Sequence, residues 1–335
     1  MATWLKENNR ESDVVVSTRV RLARNMADTP FPAKLRGTKE AGRVKEAAQA
    51  AFLSESSGFR LIEMDQLSPI ARSRLAEQHI ISSELAELPG GACIVSQDES
   101  VSIMMMEEDH FRLQCMVSGL DIDGAYSGAK AAEKMLSQKC RFAFSREFGY
   151  LTSCPTNVGT GMRASIMLHL PALTMTGRIN GVLASIGKFG ATARGAYGEG
   201  SKAYGDLYQV SNQLTLGVSE EDIKDTLAVI VRQIMEQERS LRKSLLADSS
   251  KATEDKVLRA WGILQYNRRI DSREALELLS LAGLGVSGGI ISGCSQNTIY
   301  QLMMDVMPAM LTNENSQEDR DVLRSRLIRE RLRGE

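Results

Sequence analysis

Residues 151–165 read LTSCPTNVGTGMRAS, a segment that gathers a thiol, a turn and a fixed positive charge. Cys154 precedes a Pro-Thr-Asn turn, and Arg163 follows a pair of glycines. A Walker A phosphate loop is excluded, because that motif needs a lysine that this segment lacks. Nearby cations lower the pKa of a thiol and favour its thiolate form, so we expect Cys154 and Arg163 to be electrostatic partners. The alternative is that Cys154 is a small apolar residue of the interior.

Arginine recurs at or near the predicted ends of strands. A guanidinium group binds phosphate oxygens through two parallel hydrogen bonds and stays charged at physiological pH. A nucleotide triphosphate site without a Walker A loop must neutralise its ligand with such side chains and Mg²⁺. The alternative is a set of surface arginines that pair with neighbouring acids. The candidates are Arg19, Arg21, Arg24, Arg112, Arg163 and Arg194.

Two groups of acidic residues are candidates for catalysis. Glu107, Glu108 and Asp109 follow a predicted strand, and Glu199 lies between two glycines in YGEGSK. Flanking glycines indicate a backbone that bends sharply or lets a ligand approach closely. A carboxylate held at a strand end can act as a base or lie near a metal ion. The alternative is a solvated surface, where acidic residues are common.

Composition narrows the class of protein. The chain has 335 residues, of which 43% are hydrophobic and 25% charged, as in globular proteins with two domains. The 41 basic and 42 acidic residues give a net charge of −1, so no overall attraction to nucleic acid or membranes is expected. Five cysteines without a CxxC pair and only three histidines argue against a disulfide framework or a zinc site. We therefore expect a reducing, cytoplasmic location.

Neither a secretory signal nor a membrane span is expected. Residues 1–13 contain no apolar run of the kind that a secretory signal needs. The longest apolar stretch, residues 164–175, is too short for a bilayer and is interrupted by His169 and Pro171.

Hydrophobic periodicity predicts mixed helices and strands in the first three quarters of the chain and helices afterwards. Residues 91–95 and 100–106 are predicted to form an antiparallel hairpin, and residues 191–213 two strands around a glycine-rich loop. Residues 219–246 are predicted to form a helix that begins with a capping box of Ser219 and Asp222. The second strand of the first hairpin runs directly into residues 107–116, and residues 12–25 open with a short β-branched run. A further strand is predicted in residues 142–153, and further helices in residues 38–56 and near 174–188. Residues 246–255 are interpreted as a linker, which places the domains at 1–247 and 248–335.

Two other patterns point to packing instead of ligand binding. Gly283, Gly285 and Gly288 match GxGxxG, but they follow a predicted helix instead of a strand, so a helix-end loop is favoured over a dinucleotide site. Residues 318–335 contain six arginines and five acids, and an apolar stripe follows one face of the predicted helix. A helix that packs against the protein is therefore favoured over one that binds nucleic acid.

The motifs STRVR, EEDHFR, CPTNVGTG and RGxxGE occur in one chain. Together they resemble the phosphagen (guanidino) kinases, over roughly residues 12–245. The chain starts close to STRVR, so we expect the small N-terminal helical domain of those enzymes to be absent and a C-terminal helical domain to be present. With LTSCPTNVGTGxRAS and RDVxRxxLIRERLR, nearly the whole chain is similar to the bacterial protein arginine kinases of this superfamily. The resemblance implies an α/β (α+β) fold with a mainly antiparallel sheet flanked by helices, and a helical domain for dimerisation and phosphoarginine binding.

The resemblance also implies roles for individual residues. Glu108 and Glu199 would hold the substrate guanidinium beside Cys154, with Glu108 as the general base. Arg320 and Asp321 would form an allosteric phosphoarginine pocket. No protein side chain is assigned to a metal, since Mg²⁺ would arrive with ATP. The residues implied to bind ATP are Ser17, Thr18, Arg19, Arg21, Arg112, Arg163 and Arg194 around the phosphates, and His79 near the adenine.

The implied function is ATP-dependent phosphorylation of arginine side chains in proteins. It would mark them for a Clp-type unfoldase-protease, or alter regulators, in stress response and protein quality control. The implied partners are proteins with exposed arginine, an activator protein, and further copies of this chain in a homodimer or higher oligomer, without membrane or nucleic acid. The chemistry is consistent, because a protonated guanidinium is a poor nucleophile until a carboxylate accepts its proton.

Two other functions remain open. One is a kinase for free arginine or another small guanidino compound, against which the expected absence of the N-terminal domain argues. The other is a catalytically degraded adaptor that binds phosphoarginine. Met106 stands where the family has asparagine, and Ala196 is a second departure after Arg194 and Gly195. Both bear on substrate preference and rate.

Overall fold

A computed structural model describes residues 4–5, 10–38, 40–54, 58–196, 203–248, 250–312 and 318–333. Eight of the strands in these residues form one antiparallel sheet in the order β2-β3-β4-β5-β1-β8-β10-β9. The predicted antiparallel sheet is thereby confirmed. The strands of this sheet are β1 (Val15–Arg24), β2 (Phe59–Glu63), β3 (Ala92–Ser96), β4 (Val101–Met105), β5 (Phe111–Ser118), β8 (Met162–His169), β9 (Ala191–Gly195) and β10 (Leu207–Asn212), and β6 (Phe144–Ser145) pairs separately with β7 (Gly149–Tyr150).

Helices lie on both sides of this sheet and in the C-terminal quarter of the chain. Within the residues that the structure describes, the helices are α1 (Pro32–Leu35), α2 (Ala41–Phe52), α3 (Pro69–Glu77), α4 (Ser83–Glu87), α5 (Ile122–Ser137), α6 (Pro171–Met175), α7 (Ile179–Ile186), α8 (Glu220–Asp248), α9 (Ser250–Tyr266), α10 (Ser272–Ser287), α11 (Gln296–Asp305), α12 (Pro308–Leu311) and α13 (Arg320–Arg333). None of these helices is both long and apolar enough to cross a membrane.

One face of the sheet is apolar because strand side chains alternate. Val20 and Leu22 of β1 are fully buried and point to the same face as Ala164 and Ile166 of β8. Helices α2, α5, α7 and α8 cover this face and complete the largest hydrophobic core. The polar positions between these residues, such as Arg19 and Arg21, must therefore lie on the opposite face.

Helix α8 begins as its sequence predicts. The Ser219 backbone N–H donates to Asp222 Oδ2 at 3.0 Å, and the Asp222 N–H donates to Ser219 Oγ at the same distance. This reciprocal pair satisfies two N–H groups that have no partner inside the helix. The predicted capping box is confirmed.

Helices α9 to α13 form a helical region that packs directly against the sheet. Val16, Met116 and Leu207 of the strands share a buried cluster with α9, α10 and α11. The linker predicted at residues 246–255 is wrong, because α8 continues to Asp248 and α9 begins at Ser250. The domain boundary near residue 248 stays a prediction.

Other local predictions have mixed outcomes. The two hairpins are confirmed, since β3 pairs with β4 and β9 pairs with β10. Residues 142–153 contain two very short strands instead of one longer strand. The predicted helix end is confirmed for Gly288, which caps α10, and is wrong for Gly283 and Gly285, which lie inside this helix. A Cβ at Gly285 would lie only 2.4 Å from Val257 Cγ1, so close packing explains this glycine.

A buried hydrogen-bonded chain joins the sheet to α10. Ser280 Oγ donates to Asp206 Oδ2 at 2.5 Å and lies 2.8 Å from Nε2 of His169. Since the hydroxyl has one proton and gives it to Asp206, Nε2 must be the donor to Ser280. Burial lowers the pKa of His169 to about 3, and Arg242 lowers it further in the same direction.

This histidine should make the fold sensitive to acid. Below the unfolded-state pKa of about 6.5 only the unfolded chain binds the proton, so stability falls by up to about 1.4 kcal/mol per pH unit. Urea unfolding between pH 7.5 and 5 should show this loss. His169→Gln, which keeps a donor for Ser280, should show a flatter pH dependence. Equal slopes for the two proteins would contradict the assignment.

Candidate active site

A cavity of about 860 Å³ opens on the polar face of the sheet, a volume typical of small-molecule sites. Arg21 on β1 lies directly opposite Arg163 on β8, and Arg19 lies opposite Ser165. Adjacent strands therefore bring together residues that are far apart in the sequence. Of the residues predicted for the site, Arg19, Arg21, His79, Glu108, Arg112, Cys154, Arg163 and Arg194 line this cavity.

Hydrogen bonds orient part of the arginine cluster. Arg19 Nη2 donates to Gln209 Oε1 at 2.8 Å, and its Nε donates to Ser165 Oγ at 3.3 Å. Arg112 Nη1 forms an ion pair with Glu107 Oε1 at 2.8 Å. These contacts hold the guanidinium groups in place before any ligand binds, which reduces the entropy cost of binding.

The positively charged guanidinium groups of this cluster repel one another. Burial lowers the pKa of Arg21 well below its usual range, and the charges of Arg19, Arg112, Arg163 and Arg194 lower it further. Burial also lowers the pKa of Arg163, chiefly together with Arg194, while Cys154 and Glu108 partly oppose this shift. An anionic ligand in the cavity would relieve this repulsion.

Arg24 does not belong to the cluster, although the sequence includes it among the candidates. Its Nε lies 2.6 Å from Glu133 Oε1, and its guanidinium lies 3.4 Å from the centre of the Tyr150 ring. The side chain is fully buried on the apolar side of β1. Arg24 therefore supports the fold and not a ligand.

Residues 106–110 form an acidic turn between β4 and β5, and this turn places its two adjacent glutamates in different surroundings. Glu107 is only 4% exposed, and burial raises its pKa even though Arg112 opposes the shift. Glu108 is exposed to the cavity. Met106 begins this turn with φ of 63°, and its N–H donates to the His110 carbonyl at 3.0 Å. A left-handed conformation costs a bulky residue about 1–2 kcal/mol, so the surrounding structure holds this turn under strain.

Asp109 ties the acidic turn to the cysteine segment. Its Oδ1 accepts from Asn25 Nδ2 at 2.6 Å and from the Ser153 N–H at 2.7 Å. Cys154, the next residue, has its Sγ 3.0 Å from Oγ1 of Thr156. The thiol and Glu108 are thus presented to one cavity by two turns that share a buried carboxylate.

Gly159 allows this segment to approach its neighbour. Its φ is 110°, and a Cβ at this position would lie 2.1 Å from the Thr215 carbonyl oxygen. The Thr160 N–H donates to the same oxygen at 2.9 Å. Only glycine fits such a close backbone contact, which explains the first glycine of the GTG sequence.

Several predicted site residues lie elsewhere. Thr18 is fully buried on the opposite face and donates to the Gly119 carbonyl at 2.7 Å, so its hydroxyl does not line the cavity. Ser17 is buried beside a smaller cavity near Trp4 and not in the main one. Asp321 lies at the start of α13, where Arg324 Nη1 is 2.6 Å from its Oδ1, and Arg320 beside it is exposed. Glu199 lies outside the described residues.

Gln209 and Gln114 escaped sequence reasoning, and Glu107 was a candidate for catalysis instead of a partner for Arg112. Gln209 orients Arg19, Glu107 neutralises Arg112, and Gln114 donates to the His79 carbonyl at 2.8 Å. The period-two placement of polar residues in LYQVSN was a usable signal for Gln209. Gln114 reaches His79 from another segment, and the Glu107–Arg112 pair depends on the direction of the turn between them, which the sequence does not show.

Comparisons with known proteins agree with this geometry. Residues 41–241 match the ATP:guanido phosphotransferase C-terminal catalytic domain, and residues 250–335 match the protein-arginine kinase McsB C-terminal domain. Protein-arginine kinases of Bacillus pumilus and Geobacillus stearothermophilus are 43% and 44% identical over 100% of this chain and 94% of theirs. The chain belongs to the protein-arginine kinase family. The family predicted from the motifs is confirmed.

Solved structures of phosphagen kinases share the fold. The duplicated taurocyamine kinase of Schistosoma mansoni, with transition-state-analogue components, is 26% identical and has a TM-score of 0.61 over 69% of this chain and 34% of that chain. A lombricine kinase, at 22% identity, has a TM-score of 0.60 over 73% of this chain and 71% of that chain. The predicted phosphagen kinase fold is confirmed.

The cavity fits the ATP that the family name specifies. Within the part of the chain that the structure describes, the buried Nε atoms of Arg21 and Arg163 have no hydrogen-bond partner. A buried donor without a partner is costly, and phosphate oxygens are suitable acceptors for guanidinium groups. The charge, the donors and the volume therefore all agree with a triphosphate ligand.

Proposed function

We propose that this enzyme transfers the terminal phosphoryl group of ATP to arginine side chains of proteins. The observation that carries the proposal is the convergence of five guanidinium groups with Glu108 and Cys154 on one cavity. The arginines would balance the phosphate charge, and Glu108 would orient the acceptor guanidinium in line with the phosphorus. The names of the 43–44% identical relatives support a protein acceptor.

The proposed step is a balanced displacement. The bond between the terminal phosphorus and the bridging oxygen breaks, ADP leaves, and a nitrogen–phosphorus bond forms on the arginine. Glu108 accepts the proton that this nitrogen loses. Arg163, which is near both Cys154 and Glu108, would stabilise charge on the transferring group.

Mg²⁺ would supply further charge neutralisation on the phosphates. Among the described residues, no group of three or more acidic, histidine or cysteine side chains could hold a metal ion. We therefore propose that phosphate oxygens provide most of its ligands. Glu199 is proposed as the second carboxylate that orients the acceptor guanidinium.

Wider roles follow from the family resemblance and are part of the proposal. The phosphoarginine mark would direct proteins to a Clp-type protease or alter regulators under stress. Arg320 and Asp321 would bind phosphoarginine and regulate the enzyme, and the helical region would mediate self-association. An activator protein is a further proposed partner. Five free cysteines are consistent with a cytoplasmic location.

One labelling experiment tests the central proposal. The enzyme is incubated with Mg-ATP and either a folded arginine-rich protein or free arginine, and the products are analysed by mass spectrometry under non-acidic conditions. We expect acid-labile phosphate on arginine residues of the protein, and labelling at least about 100-fold slower with Glu108→Gln. Labelling of free arginine alone would show a small-molecule kinase, and equal labelling by Glu108→Gln would exclude the proposed base.

A further inference from the structure

Helix α3 forms one wall of the cavity, and the helical region supports it from behind. Glu77 and His79, at and just beyond the end of α3, line the cavity. On the same helix, Arg74 Nη2 donates to the Thr312 carbonyl at 2.9 Å, and its Nε donates to the Ala309 carbonyl at 3.3 Å. A side chain of the α3 wall therefore binds backbone groups in and next to α12, more than 230 residues later in the chain.

The carboxylate of Glu77 completes this clamp. The N–H groups of Ala309 and Met310 donate to Oε1 and Oε2, respectively, each at 3.1 Å. Burial raises the pKa of Glu77, whereas these two donors and the charges of Arg74 and Arg320 lower it. Both oxygens are thus occupied by the helical region, and each satisfies a backbone donor at the start of a short helix.

The wall connects onward to the arginine cluster. The His79 carbonyl, in a residue with φ of 60°, accepts from Gln114 at 2.8 Å. Ser82 Oγ donates to Glu107 Oε1 at 2.7 Å, and the same oxygen pairs with Arg112. A shift of α3 would therefore reach His79 directly, and it would reach Arg112 through Ser82, which caps α4, and Glu107.

The N-terminal segment joins the same junction. Trp4 Nε1 donates to the Gln78 carbonyl at 3.1 Å, immediately beside His79. The indole is buried in the cluster that the helical region shares with the sheet. Trp4 is consequently a built-in optical reporter of the α3 wall, and Trp261→Phe removes the other tryptophan.

We propose that Glu77 and Arg74 are positioning residues through which the helical region sets the nucleotide-binding wall of the cavity. This inference rests on the proposed function, because it takes ATP as the ligand. Coupling of this kind is reciprocal: if α12 stabilises the wall that binds nucleotide, nucleotide binding must stabilise the contact with α12. Neither residue touches the acceptor end of the cavity, where Glu108 and Cys154 lie.

The first measurement uses variants in the full-length chain carrying Trp261→Phe. Glu77→Gln replaces one acceptor oxygen by an amide that cannot accept, and should weaken ADP binding about tenfold by fluorescence titration. The KM for ATP should rise similarly while the KM for the protein acceptor stays unchanged, a split that a general loss of structure would not produce. Glu87→Gln, an exposed change on α4, is the matched control and should bind ADP like the parent.

The second measurement follows the clamp itself, first in the parent protein and then in Glu77→Gln. Hydrogen exchange at Ala309 and Met310 should slow when ADP binds, and this slowing should disappear in Glu77→Gln. If the parent binds ADP but α12 exchange does not respond, or if Glu77→Gln binds ADP normally, the inference is wrong while the proposed function stands. If the parent does not bind ADP at all, the proposed function itself fails.

Discussion

Replacing Glu108 with glutamine is expected to lower kcat by about 10²–10⁴-fold, the usual contribution of a positioned general base. Glutamine keeps the shape and one acceptor oxygen, but it cannot take the proton from the attacking nitrogen. The KM for ATP should change little, because Glu108 lies beside Cys154 and Arg163 at the acceptor end. Steady-state kinetics with a protein substrate measure both constants.

Two other glutamates provide the comparison for this variant. Glu147→Gln, an exposed change on the hairpin turn, should leave kcat unaltered. Glu107→Gln should instead change the KM for ATP, since Glu107 is buried and paired with Arg112. A normal kcat in Glu108→Gln together with a low kcat in Glu107→Gln would show that Glu107, and not Glu108, accepts the proton.

Replacing Arg21 with methionine should lower kcat/KM for ATP by about 10³-fold or more, because an arginine that stabilises a transferring phosphoryl group contributes 10³–10⁵-fold. The same change should stabilise the ligand-free fold. Arg21 is half-buried among four other arginines that lower its pKa, and its Nε is buried without a partner, so replacing this uncompensated charge by an apolar side chain should add about 1–3 kcal/mol. Activity and stability should therefore move in opposite directions.

Urea unfolding without ligand and kinetics with ATP test both halves of this prediction. Arg141→Met is the control, since Arg141 is 81% exposed and pairs with Asp28 on the surface. Its stability should change by no more than about 0.5 kcal/mol and its activity not at all. A less stable Arg21→Met protein would mean that Arg21 supports the fold instead of the ligand site.

Local patterns predicted the elements that depend on nearby residues. The capping box of Ser219 and Asp222 and the hairpin of β3 and β4 follow from contacts within a few residues, and the structure has both. The linker predicted at residues 246–255 is wrong, because packing between distant segments is not visible in a local pattern. Residues 246–255 are polar enough for a loop, but α9 begins at Ser250, and its Thr253 and Val257 are buried. Tertiary burial outweighs local preference in such segments.

The arginines show where local reasoning ends. Arg19, Arg21 and Arg24 look equivalent in STRVRLAR, yet the first two face the cavity and the third is buried with Glu133. Strand alternation could have separated Arg24 from the other two, since it lies an odd number of residues from both. The two adjacent glutamates offered no such rule, because their directions depend on a turn with a left-handed Met106.

The amino-acid order alone was sufficient to determine the family, the antiparallel sheet and the set of residues from which a phosphate site is built. Short motifs and alternation carry that information, because they depend on neighbours in the chain. Only the folded chain decided which arginines share a cavity, which glutamate is exposed to it, and that α12 holds the wall beside His79. Those outcomes depend on contacts between segments up to about 230 residues apart, and burial and charge at such contacts have no local signature.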